Sequence, residues 1–209
     1  MDKNYLPYEQ QKQYYNTKKW PSSLSQTRSE DKLCRMHFII RNVMKYSKLH
    51  RGQGIRIIDL GCGQGWITSE LSKYGDVVGV DLSTRVARKL YPNLKFIEAN
   101  MVIDRIEGKY DIVVSSEVIE HLTYKDQQIC IRKAYYLLRE DGILILTTPN
   151  KLRAVQLCKR LHIGRDQLQP IENWLDKESL SLLLNPYFET SFVGSTMFRP
   201  ILVIKNSYF

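Results

Sequence analysis

Ile55-Arg56-Ile57-Ile58-Asp59-Leu60-Gly61-Cys62-Gly63-Gln64-Gly65 passes from a short apolar run into a cluster of alternating glycines. A run of that length and composition reads as a strand buried on both faces. The glycines let the backbone turn sharply and come close to a ligand, and the helix that follows opens with its positive end toward the same place. Asp81 lies twenty residues after Gly61, at the end of a second apolar run, where a carboxylate can accept hydrogen bonds from ribose hydroxyls.

Outward from this loop the pattern alternates. Strands are expected at 55–60, 77–82, 94–99, 110–116 and 142–149, separated by helices at 65–73, 84–90 and 124–138. Strands alternating with helices imply a parallel, doubly wound α/β sheet covered on both faces. Upstream, Leu33, Met36, Ile40, Val43 and Met44 recur at helical spacing and predict a helix over 29–48, after an irregular arm with at most one short helix. Downstream, a helix at 176–184 precedes strands at 187–195 and 199–205, whose link is too short for a parallel crossover. They are expected to form an antiparallel hairpin.

The 209 residues suit one α/β domain, here divided into a basic N-terminal arm and helix (1–50) that forms part of a substrate lid and a main domain (51–209). The net charge of +9 is concentrated in residues 1–56, which hold twelve Lys or Arg and four acids. That imbalance favours an anionic partner. Four isolated cysteines without a CxxC pair indicate free thiols in a reducing compartment. No apolar run is long enough to cross a membrane and the N-terminus lacks the apolar core of a signal peptide, so the expected location is cytoplasmic.

The glycine spacing is G-x-G-x-G, not the G-x-G-x-x-G of dinucleotide sites. Asp59, ahead of the loop, could hold an ammonium group. A ligand that joins an amino-acid tail to an adenosine is S-adenosylmethionine. IRIIDLGCGQGWIT, VVGVDLS, FIEANM, YDIVVSSEVIEHL and GILILTTPN resemble, in order and spacing, the successive motifs of class I S-adenosylmethionine-dependent methyltransferases, the quinone-biosynthesis O-methyltransferases in particular. The resemblance covers about residues 35–205. It implies a Rossmann-like fold, a doubly wound, mostly parallel seven-stranded sheet with a C-terminal antiparallel hairpin.

It also implies roles. Asp59 and the backbone of Gly61, Cys62, Gly63 and Gly65 would hold the methionine part. Asp81 would take the ribose, with Leu82 and Met101 against the adenine. Asn100 stands where the family often has Asp and would receive the adenine amino group through its amide oxygen. Ser116 and Glu117 would flank the reacting methyl, and Arg41, with Arg35 second, would reach the cofactor carboxylate.

Glu117-Val-Ile-Glu120-His121 can place two carboxylates and an imidazole on one side of a helical turn. His121 and Glu117 are candidate bases. The pentapeptide also resembles the metal site of small-RNA 2′-O-methyltransferases, where His162 would complete the set. Gln169, Glu172, Trp174 and His162 are candidates for the acceptor pocket, and Tyr14, Tyr15 and Trp20 could close it. The leading expectation is methylation, by default on oxygen, of a small-molecule or carrier-bound anionic metabolite. The alternatives are a metal-dependent RNA methyltransferase, a non-catalytic partner subunit and, distantly, a nicotinamide oxidoreductase.

Overall fold

The computed structural model describes residues 8–17, 29–50, 54–164, 168–196 and 199–205. In chain order the elements are α1 (Tyr8–Thr17), α2 (Ser29–Leu49), β1 (Arg56–Leu60), α3 (Trp66–Leu71), β2 (Asp76–Asp81), α4 (Arg85–Leu90), β3 (Lys95–Glu98), β4 (Tyr110–Ser116), a 3-10 turn (Ile119–His121), α5 (Tyr124–Leu137), β5 (Leu138–Thr147), α6 (Lys151–Arg160), α7 (Lys177–Leu184), β6 (Glu189–Thr196) and β7 (Arg199–Lys205). Trp20 lies outside the described residues, as does the side chain of Tyr15.

The strands line up as β3-β2-β1-β4-β5-β7-β6. The first five are parallel, which meets the Rossmann-like expectation. β7 runs antiparallel to β5, and β6 antiparallel to β7. The chain reverses its direction of travel across the sheet between β1 and β4. In such sheets that switch point opens a crevice at the carboxyl ends of the strands.

Alternation along the strands explains why both faces are covered. Ile112 and Val114 of β4 and Ile143 and Ile145 of β5 point to one face, where they meet Met36, Ile39, Val43 and Tyr46 of α2. Val113, Leu144 and Leu146 point to the other, against Cys130, Ile131 and Ala134 of α5 and Leu180 and Leu184 of α7. The inner face of α2 is therefore core. Helix starts are set by side-chain caps: Thr123 accepts from the Asp126 amide, Asn150 from Arg153 and Asp176 from Ser179.

Two boundaries differ from the sequence reading. β5 begins at Leu138, directly after α5, rather than at residue 142. Glu-Asp-Gly reads as a break, yet Asp141 takes a positive φ of 61° and the irregularity keeps Leu138 paired with Tyr110. The second difference is α6, which falls where the sequence reading gave no element. None of its side chains is buried, although Ala154, Leu157 and Cys158 share one side of the helix at i, i+3 and i+4.

Candidate active site

The turn after β1 is tied to the end of β2. The Gly61 and Cys62 amides both donate to the Val80 carbonyl, at 2.7 and 3.0 Å. Gly61 has φ 78°, and a Cβ there would lie 2.2 Å from Val118 Cγ2. Gly63 has φ 53°, but a Cβ there would meet nothing within 4 Å. The first glycine is required by packing, whereas the second leaves open the space that a ligand would fill. The Gly63 amide donates to Asp81 Oδ2 at 2.8 Å and the Ser83 amide to Oδ1 at 3.1 Å. Burial pushes the Asp81 carboxyl up, against the pull of these N–H groups.

This turn forms one end of a cavity of about 840 Å³, within the ~300–1,000 Å³ typical of small-molecule sites. Asp81, Leu82, Asn100, Met101, Ser116 and Glu117 all line it. They sit at or just past the carboxyl ends of β2, β3 and β4, as the switch point requires. The Asn100 amide oxygen already accepts from the Val102 amide at 2.8 Å, so its first task is to shape the turn after β3. Met101 is buried. Above the crevice, Lys12 of α1 pairs with Glu98 at 2.8 Å and holds its carboxyl below the usual range. Asn16 accepts from the Ser83 hydroxyl beside Asp81.

The far end of the cavity is made differently. Gln169, Ile171, Glu172 and Trp174 line it, as expected, together with Lys32 and Arg35 of α2 and Arg153, Leu157 and Arg160 of α6. Residues 168–175 are fastened to the turn after β4. The Asn173 amide donates to the Glu120 carbonyl at 2.7 Å and its side chain to the Leu122 carbonyl at 2.8 Å. Gln127 donates from α5 to both the Ile119 and the Asn173 carbonyls. His121 Nδ1 lies 3.2 Å from the Ile171 carbonyl, and Nε2 lies 2.9 Å from Gln169 Nε2. This network assigns the proton to Nδ1 and leaves Nε2 as the acceptor. Glu172 Oε1 is 3.7 Å from Nδ1.

Glu120 Oε1 lies 3.9 Å from His121 Nε2, whereas Glu117 is engaged with α2. Glu117, at φ 59°, pairs with Arg35 at 3.5 Å, both side chains being largely buried. Glu120 is buried and accepts from the Thr148 hydroxyl at 2.9 Å. Burial raises its carboxyl to about 8. Among the described residues no group of three or more His, Cys, Asp or Glu is arranged to hold a metal ion. His162 is exposed in the turn after α6 and does not line the cavity, which removes it from the proposed set.

A family model described as a methyltransferase domain matches residues 31–187. The chain belongs to that family. Among curated relatives, the ubiquinone biosynthesis O-methyltransferase of Pelagibacter ubique is 29% identical over 131 residues, 56% of this chain and 53% of that protein. The mitochondrial ubiquinone biosynthesis O-methyltransferase of Mus musculus is 32% identical over 134 residues, 56% of this chain and 36% of that protein. The chain thus spans from about a third to about half the length of these relatives. Among solved structures, the PH0226 protein of Pyrococcus horikoshii OT3 has a TM-score of 0.72 at 21% identity, covering 93% of this chain and 99% of that one. Magnesium protoporphyrin IX methyltransferase from Synechocystis PCC 6803 with bound SAH scores 0.69 at 18% identity, covering 96% and 99%. These structures show the fold.

In this methyltransferase domain three further candidates stand outside the lining of the cavity. Asp59 is buried behind the turn, 2.7 Å from the Thr68 hydroxyl, and does not line the cavity. Burial raises its carboxyl to about 7. Gly65 is also outside the lining, because a Cβ there would lie 2.9 Å from Phe96 and 3.1 Å from Ala87. It allows α3 to pack against β3 and α4. Arg41 is exposed and away from the cavity, whereas Arg35 lines it. Six helical residues rotate the side chain by about 240°, which sends the two arginines to different faces of α2. Sequence reasoning missed Arg153, Leu157 and Arg160. Asn150, placed as a helix N-cap directly after Pro149, was the available signal.

Proposed function

We propose that this methyltransferase domain transfers a methyl group from S-adenosylmethionine to an oxygen of a small-molecule acceptor. The observation that carries this reading is one cavity with two differently built ends. A glycine turn locked to Asp81 forms one end, and the wall of α2, α6 and residues 168–175 forms the other. When bound, S-adenosylmethionine supplies an electrophilic methyl group. Asp81 accepts from the ribose hydroxyls, Leu82, Asn100 and Met101 receive the adenine, and the Gly61–Gly63 backbone and Arg35 receive the amino-acid end. Open space over Gly63 supports that fit.

The protein then positions the acceptor. His121 is the base of this reading. In the assigned tautomer Nε2 is unprotonated, and an acceptor hydroxyl that displaces the Gln169 amide can pass its proton there, with Glu172 beside the resulting imidazolium. Glu117, paired with Arg35, serves as an electrostatic partner. α1 and the start of α2 act as the lid. A recess fastened on one side by residues 168–175 favours a compact acceptor over RNA or a carrier-bound chain. Free thiols at all four cysteines support a cytoplasmic setting. No helix among the described residues is long and apolar enough to cross a membrane.

Calorimetry with S-adenosylmethionine, S-adenosylhomocysteine and NAD, on wild type and Asp81→Ala, tests the cofactor. Both sulfur nucleosides should bind, NAD should not, and Asp81→Ala should weaken binding at least about tenfold, the loss of a charge-assisted hydrogen bond. Failure of both sulfur nucleosides to bind would overturn the reading.

A further inference from the structure

We propose that Asn100 meets the purine of the cofactor with N–H groups rather than with its oxygen, so that the site takes a 6-oxopurine nucleoside as readily as an adenine one. The inference rests on the methyltransferase reading and concerns the nucleoside end of its cofactor.

Asn100 follows the end of β3 and opens a tight turn. Its backbone amide donates to Asp104 Oδ2 at 2.8 Å, and its carbonyl accepts from the Asp104 amide at 2.9 Å. Its side-chain oxygen accepts from the Val102 amide at 2.8 Å. From α5, Lys133 Nζ donates to the Val102 and Asp104 carbonyls, at 3.2 and 2.6 Å, and clamps the turn in place. A backbone N–H can only donate, so the Val102 contact fixes which end of the Asn100 amide is oxygen. Turning the side chain over would set two donors face to face.

Three of the four polar groups of Asn100 are therefore used within residues 100–104. The fourth, Nδ2, has no hydrogen-bond partner among the described residues and is not one of the unpartnered polar atoms sealed from the surface. It reaches open space on a residue that lines the cavity, at the end that Asp81, Leu82 and Met101 also line. What this position offers a purine is a pair of N–H groups.

Adenine carries an amino group, a hydrogen-bond donor, at C6 and acceptors at its ring nitrogens, whereas a 6-oxopurine carries an acceptor at C6. A carboxylate beside C6 accepts from the amino group and turns the oxo group away. An asparagine with both ends available can grip adenine by two bonds, one given and one received. Asn100 has committed its oxygen to the turn. That oxygen keeps a second lone pair, but it is neutral and already accepts from Val102, so it is a weaker acceptor than a carboxylate. Nδ2 can donate to a ring nitrogen of adenine or to the oxygen of a 6-oxopurine, and gives the site no means of preferring the first.

Calorimetry on the full chain compares S-adenosylhomocysteine with S-inosylhomocysteine, which has an oxo group in place of the adenine amino group. Wild type should bind the two within about threefold of each other. Asn100→Asp keeps an oxygen for the Val102 amide and exchanges the N–H groups for a carboxylate oxygen. It should shift the ratio toward the adenosyl ligand by at least about tenfold, the size of one charge-assisted hydrogen bond. Lys133→Gln, which loosens the same turn, should weaken both ligands alike and leave their ratio unchanged. A wild-type preference for the adenosyl ligand above about threefold would overturn the proposal. So would a smaller shift in folded Asn100→Asp, or a comparable shift in Lys133→Gln, which would make the turn rather than the amide the selector. The wild-type ratio decides on its own if the added charge beside Asp104 unfolds Asn100→Asp. Failure of wild type to bind S-adenosylhomocysteine would sink the methyltransferase reading instead.

Discussion

The two ends of the cavity are built on opposite principles. At the glycine turn, backbone does the shaping. Consecutive amides donate to Val80 and Asp81, and three glycines adopt φ values that other residues avoid. At the acceptor end, side chains reach across about fifty residues of sequence: His121 to Ile171 and Gln169, Asn173 to Leu122, Gln127 to Asn173. Backbone turns admit few residue types and so leave a mark in the sequence. A wall held by side-chain bonds between distant loops can be made from many sequences and leaves almost none.

Substitutions at the glycines would break the comparison most visibly. Gly61→Ala combines a positive φ with a contact 2.2 Å from Val118. It should cost about 2–4 kcal/mol in urea unfolding, the sum of left-handed strain and overpacking. Gly63→Ala carries only the strain, about 1–2 kcal/mol. It should nevertheless abolish S-adenosylhomocysteine binding, since its methyl projects into the space meant for the ligand. If Gly63→Ala binds normally, the turn does not cradle the cofactor.

At the other end, His121→Ala should uncouple the two regions. Removing the imidazole's links to Ile171 and Gln169 should cost about 1–2 kcal/mol, or roughly 2–8 °C in Tm. S-adenosylhomocysteine binding should stay within about threefold while methyl transfer to oxygen is lost. His121→Gln, which can restore a hydrogen bond but not take the proton, should recover Tm without activity. Recovery of both would reduce His121 to a fastener.

A subtler contrast lies in pH. Glu120 holds its proton up to about 8 in the folded chain, against an ordinary 4.5, and Asp59 up to about 7 against 3.8. Between these limits the folded state binds more protons than the unfolded one, so stability falls as pH rises. The slope is at most about 1.4 kcal/mol per pH unit for each group. Urea midpoints at pH 5 and pH 8 should differ less in Glu120→Gln and in Asp59→Asn than in wild type. An unchanged difference would mean that these carboxyls ionise freely.

The smallest effect is expected at α1. Lys12–Glu98 is a partly exposed pair, so Glu98→Gln should change stability by less than about 1 kcal/mol. It should instead make cofactor release slightly faster and less sensitive to salt.

The same contrast explains what was legible. The five parallel strands, the glycine turn, Asp81 and the residues at the ends of β3 and β4 could be read from apolar runs and turn chemistry. The cofactor-side candidates outside the cavity lining are of one kind. Asp59, Gly65 and Arg41 were placed near the ligand from their position along the chain, but burial, close packing and helical rotation put them elsewhere. Acceptor-side errors had another source. His162 followed from a spacing that no backbone constraint enforces, and α6 was missed although Ala154, Leu157 and Cys158 recur at helical spacing.

That last feature has an evolutionary side. A helix that adds nothing to the core can change its sequence without endangering the sheet beneath it. α6 is then a replaceable faceplate: drift at Arg153, Leu157 and Arg160 changes one wall of the cavity, while the glycine turn at the other end goes on unaltered.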